Sequence, residues 1–210
     1  MKIVLFGATG NIGKVILDEA LARGHHVTAI VRDPAKLGVT HPQLTVTKGD
    51  LLTPSTYVAA LAGQDAAVAS VNDPNPDNVP KQAEVLLDTL SKAGVRRFAW
   101  VGGAGSLEVA PGVRVIDDPH FPAEWKDSAM GMVRALDVFR NSKADIDWTF
   151  ISPAAMIAPG ERTGTYRVGG DQLLVDAQGN SHISQADYAI GLLDRIEKGD
   201  AARKRITLAY

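Results

Sequence analysis

A doubly wound α/β protein with a parallel central sheet is the fold this sequence predicts, and three observations carry the prediction. An apolar run of strand length ends in glycines at G-x-x-G-x-x-G spacing, Gly7, Gly10 and Gly13, and a helical pattern (Val15, Ile16, Leu17, Ala20, Leu21) follows at once. Short apolar runs then alternate with helix-length amphipathic ones as far as Ile151, which is the rhythm of right-handed β-α-β crossovers. Finally, 210 residues with 45% hydrophobic content suffice for one well-buried core.

The elements fall in order. The glycine turn gives the first strand and helix. Arg23-Gly24 stops that helix, and Val27–Val31 reads as the second strand. Asp33-Pro34 has the form of an N-cap with proline at the first helical position. Leu44–Thr47 is a third strand running into Gly49-Asp50-Leu51, Pro54–Leu61 a short helix, and Ala66–Val71 a fourth strand. After the polar, proline-rich loop Asn72–Asn78, the helix Val79–Lys92 places Ala83, Leu86, Leu87 and Leu90 on one face. Phe98–Val101 is the fifth strand, Gly102–Phe121 a long loop, Ala123–Ser142 a helix and Trp148–Ile151 the sixth strand. The expected architecture is therefore Rossmann-like, with strand order 3-2-1-4-5-6.

The last third changes character. Thr163–Ile183 is glycine-rich and polar, with β-like pieces at Tyr166–Val168 and Leu173–Val175 that suit a small hairpin. The segment of about 154–183 is expected to cap the substrate side of a single domain spanning 1–210. Ser184–Glu197 returns to helix, and Ile206–Ala209 could add a seventh, edge strand with Arg203-Lys204-Arg205 as basic gatekeepers.

Composition excludes several classes. A net charge of −2 without a long basic stretch argues against a nucleic-acid partner. The absence of cysteine removes disulfides, thiol nucleophiles and iron–sulfur clusters. His41, His120 and His182 are scattered, so no metal-ligand pattern arises. No run reaches membrane-spanning length, and the opening apolar run is too short for a signal peptide, so a soluble, cytoplasmic protein is expected.

The glycine turn implies a dinucleotide ligand. Gly7 permits the sharp exit from the strand, Gly10 lets the backbone approach a pyrophosphate, and Gly13 allows close helix–sheet packing; Thr9, Asn11 and Ile12 complete the cradle at the helix N-terminus. The second strand ends in Val31-Arg32-Asp33. Arg32 lies where a 2′-phosphate would sit and Asp33 is read as a helix cap, so NADP(H) is favoured over NAD(H). Asp50 and Leu51 would flank the adenine, although Asp50 also suits a loop cap. Nicotinamide-side candidates are Val71, Asn72, Gly102, Gly103, Ala104, Pro153, Ala154 and Ala155. The glycines among them either let a flat ring approach or merely form a turn.

The segments Gly7–Gly13, Val31–Asp33, Gly49–Leu51, Val101–Gly105, Asp147–Pro153 and Ser184–Ala189 together resemble the short-chain dehydrogenase/reductase superfamily. Within it they resemble the small atypical NAD(P)H-binding proteins related to NADH-flavin reductases and biliverdin reductase B. The resemblance covers almost the whole chain and implies the cofactor and the geography of the site.

One departure matters. Typical members carry Tyr-x-x-x-Lys on the helix before the sixth strand, where the tyrosine moves a proton at the substrate oxygen. Here those places correspond to Ser128 and Met132, and no Tyr-x-x-x-Lys occurs anywhere in the chain. A serine without an adjacent base is a poor proton donor, and Lys126 reads as a solvated lysine. Hydride transfer to a flat conjugated acceptor (flavin, quinone or tetrapyrrole) survives this loss, because such an acceptor can take its proton from solvent. Flavin would then be a substrate and not a bound prosthetic group.

Ser128 and His120 are the remaining catalytic candidates. Phe121 and Trp125 could stack on the acceptor or anchor the loop. Glu161, Arg162 and Arg167 could border the cleft or form surface ion pairs, and His25-His26 lie away from it. Two other readings stay open: a non-catalytic dinucleotide sensor, which the NmrA-like regulators of this fold suggest, and a sugar-nucleotide epimerase or dehydratase, disfavoured by the missing tyrosine. A monomer or a homodimer is expected, with no membrane partner.

Overall fold

Successive residues of a strand point to opposite faces, so a strand that is apolar at every position has two faces to bury. In the first strand, Ile3 and Leu5 enter one core while Val4 and Phe6 enter the other. Helices on both sides of the sheet are the answer to this pattern.

In the computed structural model, which describes residues 1–210, the chain runs β1 (Lys2–Phe6), α1 (Asn11–Ala22), β2 (His26–Val31), β3 (Leu44–Lys48), β4 (Ala66–Ala69), α2 (Asn78–Lys92), β5 (Arg97–Val101), β6 (Glu108–Ala110), β7 (Val113–Arg114), α3 (Ala123–Asn141), β8 (Asp147–Pro153), β9 (Met156–Ala158), β10 (Arg167–Gly169), β11 (His182–Ser184), α4 (Gln185–Lys198) and β12 (Lys204–Ala209). The main sheet has the order β3-β2-β1-β4-β5-β8-β12-β10. Every pairing in it is parallel except β10 with β12. The expected order 3-2-1-4-5-6 is present, with β8 as the sixth strand. Residues of α1 and α4 build the core on one face, and residues of α2 and α3 build it on the other. On the second face, Phe139 of α3 sits among Phe98, Trp100, Trp148 and Phe150, with ring centroids 5.4–5.7 Å away.

Several local expectations are corrected. Pro54–Leu61 is two 3₁₀ turns, Pro54–Thr56 and Val58–Leu61, and not one helix. Tyr57 lies between them with φ −138°, fully buried, and its hydroxyl donates to the Leu51 carbonyl at 3.0 Å. β4 stops at Ala69, short of Val71.

The segment 163–183 forms no hairpin on itself. Arg167–Gly169 pairs antiparallel with β12, which is therefore an interior strand with its hydrogen bonds satisfied on both sides. The Leu173 N–H donates to the Glu108 carbonyl at 2.9 Å, and β9 pairs parallel with β11. Nor are Arg203 and Arg205 edge gatekeepers. Arg205 is buried against Asp171 (2.7 Å) and the Ser106 carbonyl (3.1 Å). Arg203 donates to the carbonyls of Ser142 and Ala144, just past the end of α3.

A buried carboxylate fastens this last third. Ser184 caps α4 by accepting the Asp187 N–H at 3.0 Å. The Asp187 carboxylate accepts from the Thr163 hydroxyl (2.6 Å), the Gly164 N–H (2.8 Å) and the Tyr210 hydroxyl (2.6 Å). Burial acts to raise its pKa, but these donors outweigh burial and hold it below the usual aspartate range. Glu19 on α1 is held low in the same direction, first by its hydrogen bond from Arg162 and then by Arg23, against burial.

Asp187→Ala strands these donors. It is expected to cost about 3 kcal/mol and to lower Tm by roughly 6–12 °C at pH 7. The folded-state pKa is depressed, so the stabilisation is complete above about pH 4 and lost as the pH falls through the lowered value. The gap between wild type and variant in thermal melts should accordingly close in acid; a gap independent of pH would remove the carboxylate as its source.

Candidate functional site

The helix α1 begins without help. Gly10 is its N-cap, no side chain caps it, and no acidic residue occupies its first turn. The Lys14 N–H bonds back to the Gly10 carbonyl at 2.9 Å, which leaves the N–H groups of Asn11, Ile12 and Gly13 without a helical partner. Free N–H groups at the positive end of a helix form an anion site. Gly7 has φ +81°, which L side chains rarely adopt, and a Cβ there would overlap the Ser70 carbonyl. A Cβ on Gly13 would overlap the Gly7 carbonyl, so α1 and β1 meet backbone to backbone. At Gly10 the nearest atom is the Gly7 oxygen at 3.4 Å, and the remaining space opens outward. This is a cradle that a side chain at position 10 would fill.

A cleft of about 880 Å³ extends from this turn along the carboxyl ends of the strands. It is lined by Gly7, Thr9, Gly10, Asn11, Ile12, Arg32, Asp50, Leu51, Val71, Asn72, Gly102, Gly103, Pro153 and Ala154. All the residues expected to touch a dinucleotide thus lie on one cleft except Gly13, which sits behind the turn in the packing role expected of it. Ala104, Ala155, Ser128, Met132, Phe121 and Trp125 also line it.

Individual roles separate here. Asp33 accepts the Ala35 N–H at 3.1 Å as the cap of Pro34–Lys36, while Arg32 stands exposed on the cleft. Asp50 is a loop cap, accepting the Leu52 N–H at 2.9 Å, and also a cleft residue. Gly102 is demanded by packing, since a Cβ there would overlap the ring of Phe150. Trp125 is 52% exposed and so does not anchor its loop; Met156, also on the cleft, is 57% exposed.

The proton-transfer candidates fare differently. Ser128 Oγ lies 3.4 Å from Asn72 Oδ1, an amide and not a base. His120 is outside the cleft, its ring 95% exposed and 3.1 Å from Asp118. Arg162 pairs with Glu19, Arg167 bonds backbone carbonyls at Val175 and Tyr210, and His25 bonds Glu197.

None of the four tyrosines reaches the cleft. Burial pushes Tyr57 up to about 12. Tyr188 donates to the Ile151 carbonyl at 2.6 Å, and burial drives it well above its ordinary value. Tyr166 is bonded to Asp194, and Tyr210 to Asp187. No tyrosine, lysine or histidine lines the cleft.

Asp73, Gln82 and Met156 are cleft residues that sequence reasoning missed. Asn72, Asp73 and Asn75 lie in a loop that carries no periodic signal. Each of their side chains accepts a backbone N–H within two residues, from Asp73, Asn75 and Asp77 in turn.

A parallel sheet whose first crossover helix starts uncapped over a glycine turn, with a long cleft at that edge, is a Rossmann-like dinucleotide-binding architecture. The model of the NAD(P)H-binding family matches residues 7–198, and the chain belongs to that family. It is similar to the uncharacterized protein YwnB of Bacillus subtilis, with 38% identity over 99% of this chain and 98% of that one. Among solved structures, a proposed epimerase of Bacteroides thetaiotaomicron is 41% identical, with TM-score 0.93 over 100% of this chain and 96% of that one. A proposed NADH-flavin reductase of Streptococcus pneumoniae is 38% identical, with TM-score 0.88 over 100% and 99%. No helix is long and apolar enough to cross a membrane.

The two glycines make opposite demands. Gly13→Ala should destabilise the fold by about 3 kcal/mol through overpacking. Gly10→Val should cost less than about 1 kcal/mol, a typical loss at a cap, yet abolish NADPH binding by filling the cradle. Thermal melts and a fluorescence titration read both; NADPH binding retained in Gly10→Val would mean that the turn does not approach the ligand.

Proposed function

We propose that the protein is an NADPH-dependent reductase that passes hydride to a flat conjugated acceptor, a flavin or a quinone. The observation that carries this reading is the cleft's composition: an anion cradle, the exposed Trp125 and Met156 on its lining, and no tyrosine, lysine or histidine along it. When bound, the reduced nicotinamide supplies the hydride, and a conjugated acceptor takes the accompanying proton from solvent.

The chain's own contribution is positioning. The N–H groups of Asn11, Ile12 and Gly13 hold the pyrophosphate, and Arg32 pairs with the 2′-phosphate through its guanidinium fork. Val71, Asn72, Pro153 and Ala154 form the walls that set the nicotinamide against the acceptor. Trp125 offers an aromatic face on which a flat ring can stack. Holding donor and acceptor within reach is the main source of acceleration for a step that needs no protein acid. The named similarity to an NADH-flavin reductase supports this reading. The name of the epimerase-like neighbour does not carry over, because epimerisation calls for a proton-transfer residue at the substrate carbon.

Two measurements test the proposal. Arg32→Ala should weaken NADPH binding at least ~10-fold while changing NADH binding by less than about threefold; equal losses would remove Arg32 as the phosphate reader. Anaerobic oxidation of NADPH against FMN, riboflavin and a quinone panel should show saturable turnover that Gly10→Val lacks. Tight NADPH binding with no turnover above that variant would sink the reductase reading in favour of a dinucleotide sensor.

A further inference from the structure

Two helices begin on the cleft, and they begin differently. The first turn of α1 has no acidic residue and no side-chain cap, which leaves it open to an anion. Pro122, the N-cap of α3, also lines the cleft, and α3 likewise has no side-chain cap. Its first turn, however, carries Glu124, a carboxylate of the chain's own that offsets the positive end of the helix. Glu124 is exposed and lines the cleft with its neighbour Trp125 and with Ser128 one turn on. The basic groups of the same loop and helix are taken up elsewhere: Arg114 by Asp117 at 2.8 Å, His120 by Asp118 at 3.1 Å, Arg134 by Asp77 at 3.0 Å and Arg140 by Asp171 at 2.9 Å. Lys126 is off the lining.

The charge of the whole lining has the same sense. Three carboxylates line it, Asp50, Asp73 and Glu124, against one base, Arg32. Asp50 and Asp73 hold their own loops, accepting from the Leu52 N–H and from the Asn75 N–H and Asn78 amide. Under the dinucleotide reading Arg32 is matched by the 2′-phosphate, and the cofactor brings further negative charge. An acceptor with a phosphate or sulfonate of its own would then enter a cleft with no cation left to receive it. An uncharged ring meets only Trp125, Met156 and the apolar wall.

We propose that the acceptor is an uncharged flat ring, a flavin without its phosphate or a quinone without an acidic substituent, and that Glu124 turns anionic acceptors away. The inference rests on the reductase reading and narrows its acceptor. The acceptor gains a hydride from NADPH and a proton from solvent, so the products are its dihydro form and NADP⁺. Glu124 takes no part in that transfer. Its role is selection by like-charge repulsion, which penalises an anionic competitor and not a neutral ring.

The test compares pairs that share a ring and differ in charge, riboflavin with FMN and a naphthoquinone with its sulfonate. The readout is anaerobic oxidation of saturating NADPH by the full-length protein. In whichever pair turns over, wild-type kcat/KM should favour the neutral member at least ~10-fold, chiefly through KM. Raising the ionic strength from about 0.01 M to about 1 M shortens the screening length from about 30 Å to about 3 Å and should narrow the gap. Glu124→Gln should bring the two members within about threefold of each other, and Glu124→Lys should reverse the preference. A lesion that merely loosened α3 would lower both members together, because they share a ring. Wild-type turnover of the anionic member as efficient as that of the neutral one overturns the proposal and leaves the reductase reading intact. So does a preference that both variants retain. Turnover of no member of either pair, with NADPH bound, overturns the reductase reading and this proposal with it.

Discussion

The contact between Gly13 and the Gly7 carbonyl is the constraint on which the rest of this molecule depends. It lets α1 stand closer to β1 than any side chain would allow, and so brings the helix's free N–H groups to the carboxyl edge of the sheet. The neighbouring strand is fitted to the same point, since the Ser70 carbonyl occupies the space a side chain at Gly7 would take. The strand order diverges here: β2 and β3 lie to one side of β1, and β4, β5 and β8 to the other. A cleft opens where the chain separates in this way, and the helix N-terminus supplies its one strongly directional feature.

Charge is used on the two faces for different ends. On the α1–α4 face, Glu19, Arg23, Arg162, Asp194 and Asp187 tie the last third of the chain to the body of the fold. These groups pair with one another and with nearby backbone and hydroxyl donors. At the cleft, by contrast, Arg32 stands exposed on the lining and the N–H groups of the first turn of α1 have no helical partner. The difference separates a structural network from a binding site although both are rich in polar atoms.

The chemistry follows from where the tyrosines went. None of the four lines the cleft, and each is spent on a backbone carbonyl or a carboxylate, Tyr188 most completely. A hydride acceptor that needed a protein acid would find no tyrosine, lysine or histidine on the cleft, and Ser128 there stands beside an amide oxygen. An acceptor that delocalises charge in its own ring needs no such group, and the cleft's small and apolar walls suit one.

Much of this was legible in the sequence. The glycine spacing, the alternation of elements and the cap at Asp33 follow from local rules, because helix starts, positive-φ turns and fully buried strands are determined by residues close in sequence, and the strand order was read from that alternation through the handedness of the crossovers. Tertiary structure alone decided what long-range pairing controls. The piece Arg167–Gly169 satisfies the open edge of β12 and not its own neighbour at Leu173–Val175, and Tyr57 divides a predicted helix by turning into the core. Gln82 reads as an ordinary helix residue until Asp73, nine places earlier in a loop, fixes its amide. A hydrogen bond to an aspartate across a proline-rich loop leaves no periodicity to detect, so the orientation of that amide belongs to the folded molecule, whereas the glycine turn beneath it belongs to the sequence.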